Sequence, residues 1–332
     1  MRLTATRHST TPGQAPSAAG APHFFCFDYK MRFQNQDVIE LKRERASLLV
    51  APQSGGRLLR WRVGGHDVIG WPDNANWNEP ARVRGGNPLL FPFLGRHRVD
   101  GTIGRWRDHA GVVRALPMHG FARDLPFEPT IDVANARIDM TLTDSDATRT
   151  GYPFGFRFDA IYHLIDGYTL DATLTTTNTG DTPLPYYAGH HFYFSLPHGL
   201  RSESRLSLPP ARLLYQRDDG AIAEAAAAAR EYRLDDARIV DRFHALDPLS
   251  GGARVTLHTP SLGRTITLAL ERPGSIPWYA VTTWTEKPDS DFYCIEPWLG
   301  LPDAIHNGLG LRWLAPGASE RAVLRIRVEL DE

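Results

Sequence analysis

Two adjacent histidines, His190 and His191, lead into an aromatic run, Phe192-Tyr193-Phe194, and a lone glutamate, Glu296, lies in a second run, Phe292-Tyr293-Cys294-Ile295-Glu296-Pro297-Trp298. Aromatic and β-branched content makes both runs strands, and successive strand side chains point to opposite faces. His191 then shares a face with Tyr193, while His190, Phe192 and Phe194 share the other. On the second strand Cys294 lies on the Glu296 face, Tyr293 and Ile295 point away, and Pro297 is expected to end the strand. An imidazole titrates near neutrality, and a carboxylate held between Ile295 and Pro297-Trp298 is partly desolvated, which raises its pKa. That is the equipment of general acid–base chemistry, so His191 and Glu296 are the candidate catalytic pair. The bland alternatives are a core histidine and a salt-bridged edge glutamate. The first weakens here because a second histidine and two aromatics flank His191.

Metal chemistry is the obvious rival reading. Neighbouring strand residues face apart, so His190 and His191 cannot share one ion without a bulge. The chain has no His-Glu-x-x-His or Cys-x-x-Cys motif, so neither a metal nor any other cofactor is expected. His119 lies in Met118-His119-Gly120-Phe121-Ala122-Arg123, where the glycine permits close approach of a ligand or of another backbone. Trp298, with Trp278 and Trp284 upstream, offers flat apolar surface, although Trp278 reads equally well as core. Binding groups usually sit in loops on a rigid scaffold. Four stretches mix aromatic, charged and turn residues in that manner: Arg84 to Asp100, Leu116 to Asp124, His190-His191, and Glu296 to Asp303.

The elements that must position these groups are short alternating runs. Val38–Leu41, Ser47–Val50, Leu58–Val63 and Asp67–Trp71 are separated by Gln53-Ser54-Gly55-Gly56 and Gly64-Gly65. Ile138, Met140 and Leu142 alternate with polar residues, as do Leu170, Ala172 and Leu174, then Ile266 and Leu268, and finally Leu324, Ile326, Val328 and Leu330. Strands with one buried face, spaced by glycine turns, indicate an all-β sandwich or barrel with large antiparallel sheets and long loops. One helix is expected, over Ala221 to Arg230, where helix formers cluster after Gly220. No 20-to-50-residue repeat and no phosphate-loop glycine motif occurs.

Composition bounds the rest. Hydrophobic residues at 42% and charged residues at 23% of 332 fit a globular chain with a substantial core. A net charge of −1 gives no electrostatic reason for a nucleic-acid or membrane partner. No run of about 18 apolar residues appears, so no spanning helix is expected. Only Cys26 and Cys294 occur, which implies no disulfide framework and makes a reducing, cytoplasmic setting the default. Residues 1–22 are rich in Thr, Ser, Ala, Gly and Pro and lack the apolar core of a secretory signal, so they read as a flexible arm preceding one domain over 23–332.

With these residues in view, the chain resembles the aldose 1-epimerase (galactose mutarotase-like) family. The matching segments run in order: Gly85-Gly86-Asn87-Pro88 through Phe91-Pro92 to Gly95-Arg96; His119 to Arg123; Gly189-His190-His191-Phe192-Tyr193-Phe194; Trp284-Thr285; Cys294 to Trp298; and Leu314-Ala315-Pro316-Gly317 before the last strand. The resemblance implies a β-supersandwich whose concave sheet carries a sugar site. It also implies that His191 protonates the ring oxygen of an aldose while Glu296 takes the proton from the anomeric hydroxyl. By the same resemblance His119 and an arginine of the Gly-Arg loop contact the sugar. The loop carries an extra residue relative to the family pattern, so Arg96 and Arg98 compete for this role, and Arg96 is preferred because it follows Gly95. Arg123, Asp241 (from Asp241-Arg242-Phe243) and Trp298 complete the expected binding set. Phe192, where some relatives have proline, is expected to alter the pocket wall. The expected partner is a small sugar, hexose or pentose, either free or phosphorylated on the argument of Arg96, Arg98 and Arg123, and the chain is expected to be a monomer or homodimer. A non-catalytic sugar-binding protein on the same fold is the alternative of a different class. A glycan-cleaving enzyme fits less well, since it would typically use two carboxylates and only Glu296 stands out.

Overall fold

A computed structural model describes residues 29–225, 227–247 and 253–331. The expected N-terminal arm and Cys26 lie outside the described residues. Among those described, a 13-stranded and a 9-stranded antiparallel sheet account for most of the chain, with three two-stranded ribbons at the loops. The expectation of an all-β fold with large antiparallel sheets holds. No helix among the described residues is long and apolar enough to cross a membrane.

The smaller sheet shows why alternation folds this way. Arg137–Thr143 buries Ile138, Met140 and Leu142, and its partner Phe156–Asp166 buries Phe156, Phe158, Ala160, Tyr162 and Leu164 in turn. The long last strand, Ser319–Leu330, joins Thr169–Asn178 to Arg264–Ala269 and carries the same pattern through the sheet's centre. These apolar faces meet the inner face of the larger sheet in one core. Phe91 stacks on Phe158 with centroids 4.3 Å apart. Arg264, almost wholly buried, bonds the carbonyls of Asp67 and Ser195 on the larger sheet.

Four early strands, Gln36–Arg43, Ala46–Ala51, Arg57–Val63 and His66–Ile69, fall where the alternating runs indicated. Two sequence expectations fail. Within Ala221 to Arg230, Ile222–Glu224 is a strand paired with Leu214–Gln216, joined through a turn in which Gly220 has φ +95°. Alanine-rich composition is a weak helical prior without an apolar stripe, and the ladder satisfies the same backbone groups. The described α-helices are instead Asp146–Gly151 and Ala304–Asn307. Pro297 does not end its strand either. The strand runs Phe292–Trp298, with Pro297 paired opposite Val281.

Burial of histidine makes the fold acid-sensitive. His244 lies fully buried on the strand Arg242–Leu246, with Nε2 3.1 Å from the Thr283 hydroxyl oxygen. That hydroxyl donates to the Ile239 carbonyl, so Nε2 is the donor and the ring is neutral. Burial pulls its pKa down to about 4. The unfolded chain then binds the extra proton first, so stability present above the ordinary imidazole range is lost as pH falls toward 4. His244→Gln is expected to flatten the stability-against-pH slope below about pH 6.5 by about 1.4 kcal/mol per pH unit, measured by chemical denaturation at several pH values.

Candidate active site

The site is built on cross-strand register. Gly189 pairs with Trp298 and Tyr193 with Cys294, and both pairs belong to one antiparallel register. Continuing that register between them sets His191 opposite Glu296 and His190 opposite Pro297. The Leu299 N–H donates to the Ala188 carbonyl at 2.9 Å. Alternation from that bond makes His190–Pro297 a hydrogen-bonding position and His191–Glu296 a non-hydrogen-bonding one, where facing side chains approach most closely. Proline has no N–H to give, so the ladder is interrupted there, while on its other flank His190 pairs with Leu89.

Asn87 takes up the groups this leaves over. Its Oδ1 accepts the His191 backbone N–H at 2.8 Å, and its amide nitrogen lies 2.9 Å from His190 Nδ1 and 2.8 Å from the Tyr162 hydroxyl. His190 Nδ1 is therefore an acceptor, its proton sits on Nε2, and burial lowers its pKa to about 3. The two histidines face apart as the strand period requires. His190 packs on Phe192, and His191 stacks on Tyr193 with centroids 4.8 Å apart.

On the open face, His191 Nδ1 lies 3.4 Å from Glu296 Oε1, without a hydrogen bond of good geometry. Glu296 Oε2 has no partner. Burial, then the charge of Asp241, pushes the Glu296 carboxyl well above its usual range, and the Trp298 indole N–H offsets part of that rise. Burial, then the guanidiniums of Arg123, Arg57 and Arg84, holds His191 well below the ordinary imidazole range. Cys294, two residues from Glu296, places its thiol on the same face, as the strand period required. Trp298 packs closely against Gly189, where a Cβ would come within 2.7 Å of its ring.

Above this floor opens a cavity of about 790 Å³ including its mouth, lined by His191, Glu296, Arg96, His119, Arg123, Asp241 and Trp298. The sequence had proposed each of these, and the fold brings all seven together. His119 sits at φ +67° and its Nδ1 accepts the Gly95 N–H at 3.1 Å, so Nε2–H is the group left for a ligand. Gly120 beside it is at φ +74°, and a Cβ there would lie 2.0 Å from the Phe91 carbonyl oxygen. The close approach foreseen for this glycine is thus to backbone. Arg98 is turned aside and bonds the Asp218 carbonyl. Phe192 is a correction: it is fully buried against His190 and Phe194 and does not line the pocket. Trp278 is core, with its indole N–H on the Val323 carbonyl, whereas Trp284 lines the cavity.

Sequence reasoning missed Asn87, Arg84 and Gln216. Arg84 lies over the Trp284 ring and bonds Glu286 at 2.9 Å. Buried Arg57 holds the loop beneath it through the Val83 and Gly85 carbonyls. Gln216 bonds the Arg96 and Gly220 carbonyls and so ties two loops at the rim. Asn87 stood inside a quoted motif, but an Asn beside two glycines and a proline looks like a turn former.

An antiparallel supersandwich with this pocket defines the galactose mutarotase-like class. The Slr1438 protein of Synechocystis sp. PCC 6803 superposes with a TM-score of 0.74 at 26% identity, over 89% of this chain and 96% of that one. The galactose mutarotase related enzyme of Lactobacillus acidophilus gives 0.73 at 22% identity, over 88% and 97%. The Aldose 1-epimerase family model matches residues 37–327, and the chain belongs to that family. Among curated relatives, Protein LacX of Lactococcus lactis is 24% identical over 81% of this chain and 90% of its own length. The Escherichia coli K12 protein named "Putative glucose-6-phosphate 1-epimerase" is 27% identical over 43% of each chain, so the match spans less than half of that relative.

Asn87→Ala leaves the buried His191 amide and His190 Nδ1 without their partner. It is expected to cost about 1–3 kcal/mol, read as a lowered denaturation midpoint.

Proposed function

We propose that this chain interconverts the α and β anomers of a free aldose, a hexose or pentose, by acid–base opening and reclosure of the sugar ring. What carries the reading is the imidazole and carboxyl facing each other 3.4 Å apart at the floor of a sugar-sized cavity, with an unpartnered carboxyl oxygen. The pair holds one transferable proton, written either as imidazolium with carboxylate or as imidazole with carboxylic acid. Burial favours the neutral arrangement in the empty pocket. Ring opening passes a proton to the ring oxygen from His191 and removes one from the anomeric hydroxyl to Glu296, so the pair ends with the count it began with. Hemiacetal and aldehyde are at the same oxidation level, and the chemistry calls for no redox cofactor. His119, Asp241 and Arg96 offer donors and an acceptor for sugar hydroxyls, while Trp298 offers a flat face for ring C–H groups.

His191→Asn and Glu296→Gln should each lower the enzyme-dependent rate of anomer exchange by roughly 10²–10⁴ with the fold intact. Polarimetry or saturation transfer measures it, and full activity in both variants would overturn the assignment.

A second reading, mutarotation of a hexose 6-phosphate, has support from the E. coli relative's name and from Arg84, Arg96 and Arg123 around the cavity. A phosphate clamp wants several converging cations. Here Arg84 is engaged by Glu286 and Arg123 by the Met118 carbonyl, which leaves Arg96 as the lining arginine without a side-chain partner among the described residues. That favours the unphosphorylated sugar. A higher kcat/KM for glucose than for glucose 6-phosphate is expected; the reverse order would reassign the substrate.

A further inference from the structure

Next to the acid–base pair lies a third group that the proposed reaction does not use. The Cys294 thiol is fully buried on the Glu296 face of its strand. His191, Cys294 and Glu296 each offer one donor atom, and these atoms all lie within 4.8 Å of one another. Two of the donors are unsatisfied, since His191 Nδ1 and one Glu296 carboxyl oxygen have no hydrogen-bond partner. Nitrogen, sulfur and carboxylate oxygen are the donor types zinc takes, at about 2.0–2.3 Å each, which sets neighbouring donors about 3.3–3.8 Å apart in a tetrahedron. Nδ1 and Oε1 are already 3.4 Å apart, within that range, and no donor pair is more than 4.8 Å apart. His191 and Glu296 line the cavity, and Cys294 lies buried beside them.

We propose that His191, Cys294 and Glu296 form a three-donor site for a thiophilic divalent cation such as Zn²⁺, and that the ion is an inhibitor rather than a resident cofactor. The ion takes the lone pairs on Nδ1 and the carboxylate that proton transfer needs, and so blocks sugar turnover. Binding is balanced by release of the thiol proton and of the proton the pair shares. Two anionic donors offset the divalent charge in a pocket where Arg57, Arg84 and Arg123 all act on His191. Hard cations such as Mg²⁺ and Ca²⁺ prefer all-oxygen shells and gain nothing from a thiolate, so the site discriminates against them. The inhibitory part rests on the epimerase reading; the binding part does not.

The test is titration of the full-length, chelator-treated protein with Zn²⁺ by calorimetry and with Co²⁺ by absorption spectroscopy, where a thiolate-to-cobalt charge-transfer band reports the sulfur directly. One equivalent is expected to bind with that band present, and Mg²⁺ is expected to give neither signal. Cys294→Ser and Cys294→Ala, checked for unchanged unfolding midpoints, should lose the band. They should also weaken Zn²⁺ by no less than the roughly 10–100-fold that loss of an outer-shell partner costs. In metal-free buffer their anomer exchange should match the parent, and it should resist Zn²⁺ that inhibits the parent. Absence of binding, or binding and a band unchanged in the cysteine variants, overturns the site. Stoichiometric cysteine-dependent binding in a protein without epimerase activity keeps the site and defeats the functional reading instead. Inhibition that persists in both cysteine variants refutes the inhibitory role.

Discussion

Everything at the site depends on one register. Placing His191 opposite Glu296 at a non-hydrogen-bonding position turns two residues 105 apart in the chain into facing neighbours. A slip of one residue would send His190 into the pocket and His191 into the core, because side-chain direction has a period of two. The pairs Gly189–Trp298 and Tyr193–Cys294 fix the register on either side of the pair. Pro297 interrupts the ladder between them, and Asn87 receives the His191 amide that points the other way. Tyr162, which bonds Asn87, belongs to the other sheet, so the sandwich core itself braces the His191 segment from behind.

Burial is the second constraint, and it acts on both members of the pair in the same direction. Each charged form is disfavoured, the carboxylate by desolvation with Asp241 nearby and the imidazolium by desolvation with three guanidiniums nearby. The pocket therefore disfavours a fixed ion pair between the two. A salt bridge locked by hydrogen bonds on both sides would be a poorer acid and a poorer base. The missing hydrogen bond at 3.4 Å is consistent with a pair arranged to engage a third body, the sugar, rather than each other.

Local pattern carried much of this into the sequence, and the failures share a cause. Alternation exposed the strands around Ile138, Leu170 and Ile266 because one face is dry and the other wet. The same period assigned His191 and His190 to opposite faces and Cys294 to the Glu296 face. A lone residue in an irregular connection, such as Asp241, was reachable only through family resemblance, since no periodicity exists there to interpret, and His119 was marked out only by the glycine beside it. Asn87 and Arg84 act through contacts with residues 75 to 202 positions away, and no local pattern encodes such a distance. The alanine-rich stretch after Gly220 misled for the complementary reason: propensity is local, whereas Ile222–Glu224 answers to a paired strand.

The division between floor and rim has a functional logic. Of the two groups proposed to move protons, Glu296 stands on the central strand Phe292–Trp298, and His191 lies in the break between Gly189–His190 and Tyr193–Ser195, where its amide is held by Asn87. The groups that would recognise the rest of a sugar stand outside the sheets, Arg96, His119 and Asp241 on loops or turns and Arg123 in the single-turn helix Ala122–Asp124. Every cyclic aldose presents the same hemiacetal to the floor, so the floor cannot discriminate among them. Discrimination has to come from hydroxyl positions farther from the anomeric carbon, which only the rim can reach. The rim is tied by single side-chain contacts, Gln216 to Arg96 and Arg98 to Asp218. A substitution at those ties would therefore alter which sugar is accepted before it alters the proton transfer beneath.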